Sequence, residues 1–129
     1  MSKKKIIFIA NELSFLKSHR FEIIRECSKI YDVYIICKEN TKLDNLKCKI
    51  FNLNLKKNYL NFFIYLILFY KIIKIIRDIN PNIIHVIGMK PILMFSLSKF
   101  LIEKKIRIIF SFSGLGLLFS SRNFIIKLI

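Results

Sequence analysis

Five short runs constrain this chain more than anything else in it: Lys5 to Ala10, Asp32 to Cys37, Cys48 to Leu53, Asn82 to Ile87 and Arg107 to Phe112. They are rich in β-branched and aromatic residues and nearly continuously apolar, not alternating. A strand with one wet face alternates apolar and polar residues. A continuous run marks a strand covered on both faces, as in a parallel sheet. Parallel strands need long crossovers, usually helical, and the intervening stretches have helical spacing. His19 to Ile30 places Phe21, Ile24 and Cys27 or Ser28 on one side, with Arg20, Glu22, Arg25, Glu26 and Lys29 largely around the rest. A second helix is predicted from about Tyr59 to Ile79, stopping at Asn80-Pro81 because a residue before proline is pushed out of the helical region. A third begins at Pro91, a favoured first helical position, and runs to about Glu103. The order β-α-β-β-α-β-α-β predicts an α/β fold, a Rossmann-like open parallel sheet with helices on both faces and right-handed crossovers.

The length of 129 residues is one domain's worth, and 54% hydrophobic residues supply a core. The net charge of +15 invites an anionic partner. Isoleucine and lysine together make up 45 of the 129 residues, with the lysines spread along the chain. A chain-wide compositional bias therefore accounts for the charge as well as a basic functional surface does. No groove-reading helix or base-stacking platform is apparent, so nucleic acid is not an expected partner. Cys27, Cys37 and Cys48 lack the paired spacing of a zinc site and read as small buried hydrophobes in a reducing cytoplasm. The apolar run before Asn11 and Glu12 is too short for the core of a secretion signal. Phe62 to Tyr70 is nine apolar residues in a row, short of the roughly 20 that span a bilayer, and Lys71 and Lys74 follow at once. Two readings of it stand together: a crossover helix buried on the sheet, and a helix whose outer face dips into a membrane interface.

The turn after the first strand is where a nucleotide-binding α/β protein carries its glycine-rich phosphate loop. Here that stretch reads "NELSFLKSHRFEIIRE", Asn11 to Glu26, with no glycine. Ser18, His19 and Arg20 stand at the expected helix entrance, where backbone N–H groups and the helix dipole favour anions. Ser18 is the expected N-cap, and the triplet is a candidate site for a phosphate or carboxylate. The chain's three glycines, Gly88, Gly114 and Gly116, all fall just past the carboxyl ends of the last two strands. Ligands of open α/β sheets bind at that edge, so these are candidate cleft glycines, with plain turn-making the alternative. There is no Ser/His/Asp elbow, Walker loop or G-x-G-x-x-G, and the eight acidic residues show no paired arrangement. His19 and His85 are the histidines available for acid–base work. His85, inside a buried strand, reads as a satisfied core residue as readily as a catalyst.

Three blocks, "KKIIFIANELSFLKSHRFEII", "NPNIIHVIGMKPILM" and "RIIFSFSGLGLLFSS", resemble in order and spacing the N-terminal domain of family-4 retaining glycosyltransferases. The likeness is to the branch that builds capsule and O-antigen repeat units on a lipid carrier, and it spans essentially the whole chain. It implies the N-terminal half of a GT-B fold, in which two Rossmann-like domains face each other across a cleft. The N-terminal domain would hold the acceptor, a lipid-linked saccharide on polyprenyl diphosphate, and the C-terminal domain the nucleotide-sugar. No metal or other cofactor is implied, because positive side chains and a helix N-terminus stabilise the leaving diphosphate. By this resemblance Ser18, His19 and Arg20 face the acceptor and its phosphates, Gly114 to Gly116 border the cleft, and Lys90 sits at its rim. Where many members have a second histidine after the one matching His85, this chain has Ile87. The expectation for 1–129 is a single, incomplete acceptor-side domain. The donor-binding domain would be missing or separately encoded, leaving this chain inactive alone. Its expected place is the inner face of the cytoplasmic membrane, against an anionic surface. The competing expectation is a non-catalytic basic module of the same fold, acting at a membrane surface or as an interaction partner.

Overall fold

The computed structural model describes residues 3–38, 43, 46–53 and 62–113. Five strands, β1 (Lys4–Ala10), β2 (Tyr31–Cys37), β3 (Cys48–Asn52), β4 (Ile83–Ile87) and β5 (Arg107–Ser111), form one sheet in the order β3-β2-β1-β4-β5. All four pairings are parallel. This is the doubly wound nucleotide-fold order, which reverses direction at β1 and opens a crevice beyond the carboxyl ends of β1 and β4. Each strand lies within a residue of its expected bounds, and the α/β, Rossmann-like architecture is as expected.

The continuous apolar runs follow from the two covers. On one face Ile6, Phe8 and Ala10 of β1, Val33, Ile35 and Cys37 of β2, and Ile87 of β4 pack against two helices, α1 (Leu13–His19) and α2 (Phe21–Ile30), through Leu13, Leu16 and Ile24. On the other face Ile7, Ile9, Ile36, Ile84 and Val86 meet α3 (Phe62–Ile79) through Ile72, Ile76 and Ile79. There they also meet α4 (Met89–Ser96) through Ile92 and Phe95. Burying each such side chain is worth about 1.5–3 kcal/mol, which ties both helical layers to β1.

Three helical expectations are corrected. The helix expected over His19 to Ile30 is α2, which starts two residues later at Phe21, after a break at Arg20, whose backbone (φ −131°, ψ 4°) is non-helical. The chain's first helix begins at Leu13 and not at His19, because Leu13 and Leu16 are fully buried in the layer that covers β1. The third helix starts at Met89, and Pro91 is its third residue. Its missing N–H still costs nothing there, because the first four N–H groups of a helix have no intrahelical partner. The chain then tightens into a 3₁₀ helix, Leu97–Leu101. The stop of α3 at Asn80-Pro81 is as expected. Asn80 takes the left-handed conformation (φ 49°) that asparagine tolerates, and its N–H bonds the Ile76 carbonyl at 2.9 Å. Among the described residues no helix is long and apolar enough to cross a membrane.

Candidate functional site

On the α1/α2 face, within β4 and at the carboxyl end of β5, the sheet gathers a small polar group inside an otherwise apolar layer. His85 lies beside Phe8 in the β1–β4 register, and the two rings pack 5.4 Å apart. One side-chain period further along the same face, Ser111 of β5 meets the imidazole, its Oγ 2.7 Å from Nε2. His85 is 9% exposed. Burial pulls its pKa below the usual histidine value of 6.5, and the positive charge of Arg20 adds to the lowering. Burial and the Arg20 charge thus both favour the neutral imidazole, which is hydrogen-bonded to Ser111.

Arg20 reaches this group from the α1–α2 break. Its Nε is buried, with no hydrogen-bond partner among the described residues. An unpaired buried donor costs about 1–3 kcal/mol, more when charged, so such a group is poised to donate to a ligand's anionic oxygen. The break is what brings it there, because Arg20 ends α1, with its N–H on the Leu16 carbonyl at 3.0 Å, and also precedes the first turn of α2.

Gly88 closes the β4 end. Its N–H donates to the Ser111 carbonyl at 3.0 Å and its own carbonyl accepts from Ile92 at 3.1 Å, so it joins strand and helix in one residue. The joint needs φ +95°, which L side chains rarely adopt. Space is not the constraint, since a Cβ there would lie 3.7 Å from Pro91 Cδ and 3.8 Å from the Ser113 hydroxyl, ordinary contacts.

The expected triplet is divided by this geometry. Ser18 does not cap a helix N-terminus. It stands in the last turn of α1, and its hydroxyl donates back to the Ser14 and Phe15 carbonyls at 3.1 and 3.2 Å. His19 is the last residue of α1, exposed, with its ring 4.8 Å from that of Phe15. Of the three, Arg20 is the one whose charge is felt at His85. Lys90 lies in the first turn of α4 and lines a cavity on the opposite, α3/α4 face. Gly114 and Gly116 lie outside the described residues. Ser111 escapes a reading of the sequence, because nothing local in "RIIFS" marks it. Only the β4–β5 register, with Ile87 beside Ser111, brings it to His85. Among the described residues no three His, Cys, Asp or Glu side chains come together as a metal site.

A family model described as glycosyl transferase 4-like matches residues 5–128. The chain belongs to that glycosyl transferase 4-like family. As a fold, this glycosyltransferase-like domain is similar to the crystal structure of a glycosyltransferase from Rickettsia africae ESF-5. The TM-score is 0.65 at 18% identity over 85% of this chain. The domain spans 30% of the length of that protein. No curated protein matches it significantly.

Proposed function

We propose that this chain is the acceptor-side part of a retaining GT-B glycosyltransferase of cell-surface polysaccharide synthesis, of the capsule and O-antigen kind. The whole enzyme would move a sugar from a nucleotide donor to a saccharide on polyprenyl diphosphate, at the inner face of the cytoplasmic membrane. A second Rossmann-like domain, encoded with this one or separately, would hold the donor, and this chain alone would not catalyse transfer. The observation that carries the reading is Arg20, a buried, unpartnered guanidinium nitrogen at the ligand-binding edge of the sheet, in a chain of this family. Arg20 would take an acceptor phosphate oxygen. His85, fixed by Ser111, would orient the acceptor beside it. The cleft glycines Gly88, Gly114 and Gly116 would let the acceptor approach the backbone closely. Positive side chains supply the charge the diphosphate needs, so the proposal includes no metal or other cofactor.

The exposed apolar outer face of α3 favours a second reading, a basic membrane-surface module without catalysis. Steady-state kinetics of the complete enzyme separates the two. Arg20→Ala should raise the acceptor KM or lower kcat by roughly 10- to 100-fold, the loss of one or two charged hydrogen bonds, with donor KM nearly unchanged. His19→Ala should act in the same direction but weakly, because its ring is exposed on α1. A collapse of donor affinity in Arg20→Ala would overturn the acceptor assignment. Absence of transferase activity in the complete protein would favour the membrane module.

A further inference from the structure

On the side of the sheet away from His85, residues of α3 and α4 and of the segments just after β1 and β2 line a cavity of about 300 Å³. That is the lower end of the range for small-ligand sites, about 300–1,000 Å³. Its floor is Ile9 of β1, with Ala10 lining it at the strand end, and its walls include Leu68 and Ile72 of α3 and Phe95 of α4. These five are nearly fully buried, so the cavity reaches down to the sheet and is more than a shallow surface patch. Among the described residues its polar groups are Asn11, Lys38, Lys90, Ser98 and the hydroxyl of Tyr65. The Ser98 hydroxyl is already committed to the Phe95 carbonyl. Lys38 and Lys90 are exposed at the strand ends, and among the described residues neither has a carboxylate partner. Among the described residues no acidic side chain lines the cavity.

An apolar hollow with two lysines at the mouth, neither with a carboxylate partner among the described residues, is complementary to a hydrocarbon chain that carries a phosphate at one end. We propose that this cavity holds the phosphate-proximal isoprenoid units of the acceptor's lipid carrier, with Lys38 and Lys90 on its diphosphate. The inference rests on the acceptor reading above and adds to it a separate binding site for the chain. Both sites open at the same sheet edge. Asn11 lines the cavity and lies two residues before α1, which leads to Arg20. Gly88 joins β4 to the α4 turn that carries Lys90. A flat contact with a bilayer would use only the outward residues of α3, whereas this cavity is concave and floored by the sheet.

Calorimetric titration of the 129-residue chain with geranylgeranyl diphosphate and with inorganic diphosphate, at the same salt concentration, tests this. The prenylated ligand should bind at least about tenfold more tightly, a difference that burial of only two methylene groups accounts for. The double variant Tyr65→Gln, Leu93→Gln polarises two lining side chains that are already half exposed, so the core is untouched. It should erase the difference while leaving inorganic diphosphate binding unchanged. Lys38→Ala with Lys90→Ala should weaken both ligands several-fold. Equal affinity for the two ligands, or a double glutamine variant that still prefers the prenylated one, overturns the proposal. The acceptor reading fails separately, by Arg20→Ala leaving the affinity for both diphosphates unchanged. If the glutamine pair still abolishes the prenyl preference in that case, the cavity stands as a lipid site without it.

Discussion

At the scale of single residues the site is governed by what surrounds His85. A histidine whose pKa is lower folded than unfolded takes up protons more readily in the unfolded chain, so acidification favours unfolding. Burial is the larger cause here and the Arg20 charge the smaller. Well above pH 6.5 both states are neutral and this effect is absent. As pH falls through 6.5 toward the folded value, stability drops, and below the folded value the slope disappears. Thermal melts of wild type and His85→Gln between about pH 8 and 5.5, above the carboxylate range, should show a larger Tm loss on acidification in the wild type. Parallel curves would mean that His85 titrates normally in the folded state. How much of this site is legible in the sequence differs residue by residue. Gly88 can be read from its place after an apolar strand. Arg20 can be singled out by its residue type and by the helix start expected around it, since it is the N-cap residue of α2, whereas Ser18 and His19 belong to the helix before it. Ser111 cannot be found locally. Its role exists only through the register of two strands well separated along the chain, β4 ending at Ile87 and β5 starting at Arg107.

Among the elements, the strands are the most legible, because burial on both faces leaves an unbroken apolar run that few other structures tolerate. Helix α1 is hidden for two physical reasons. Glu12 at its N-cap makes no side-chain capping bond, and the helix is only seven residues long, so its pattern reduces to Leu13 and Leu16. That pair, continued by Ile24, is the available signal. α3 illustrates the two-sidedness that makes its run ambiguous. Ile76 is 2% exposed and locked between β1 and β4 residues, whereas Ile67 on the outer face is 54% exposed. Ile76→Ala should therefore cost about 2–5 kcal/mol in a urea unfolding curve, through lost transfer energy and the cavity left behind. Ile67→Ala should stay within about 0.5 kcal/mol, as surface changes usually do. Similar costs at the two positions would mean that the outer face of α3 is packed against something in the folded chain.

For the whole molecule, the question is whether +15 of charge and an apolar helix face act together or separately. Tyr65, Leu66, Ile67 and Tyr70 are exposed along α3, with Lys71 and Lys74 exposed on the following turn. A helix of that composition places its apolar face in a membrane interface and its lysines on anionic headgroups. Attraction by charge alone is screened as salt rises, the Debye length shrinking from about 10 Å at 0.1 M to about 3 Å at 1 M. Apolar insertion is not screened in that way. In a flotation assay with anionic vesicles, the wild-type chain should bind at about 0.1 M salt and keep a substantial fraction bound at about 0.5 M. The variant Leu66→Gln, Ile67→Gln, Tyr70→Gln should bind comparably at low salt and be released at high salt, because it keeps the charge and loses the insertion. These positions are outward-facing, so the variant should melt close to the wild-type temperature, which checks that the fold is intact. Complete release of the wild type at the higher salt would leave electrostatics as the whole of the attraction, and would place the lysine content with the chain-wide compositional bias and not with a membrane-binding face.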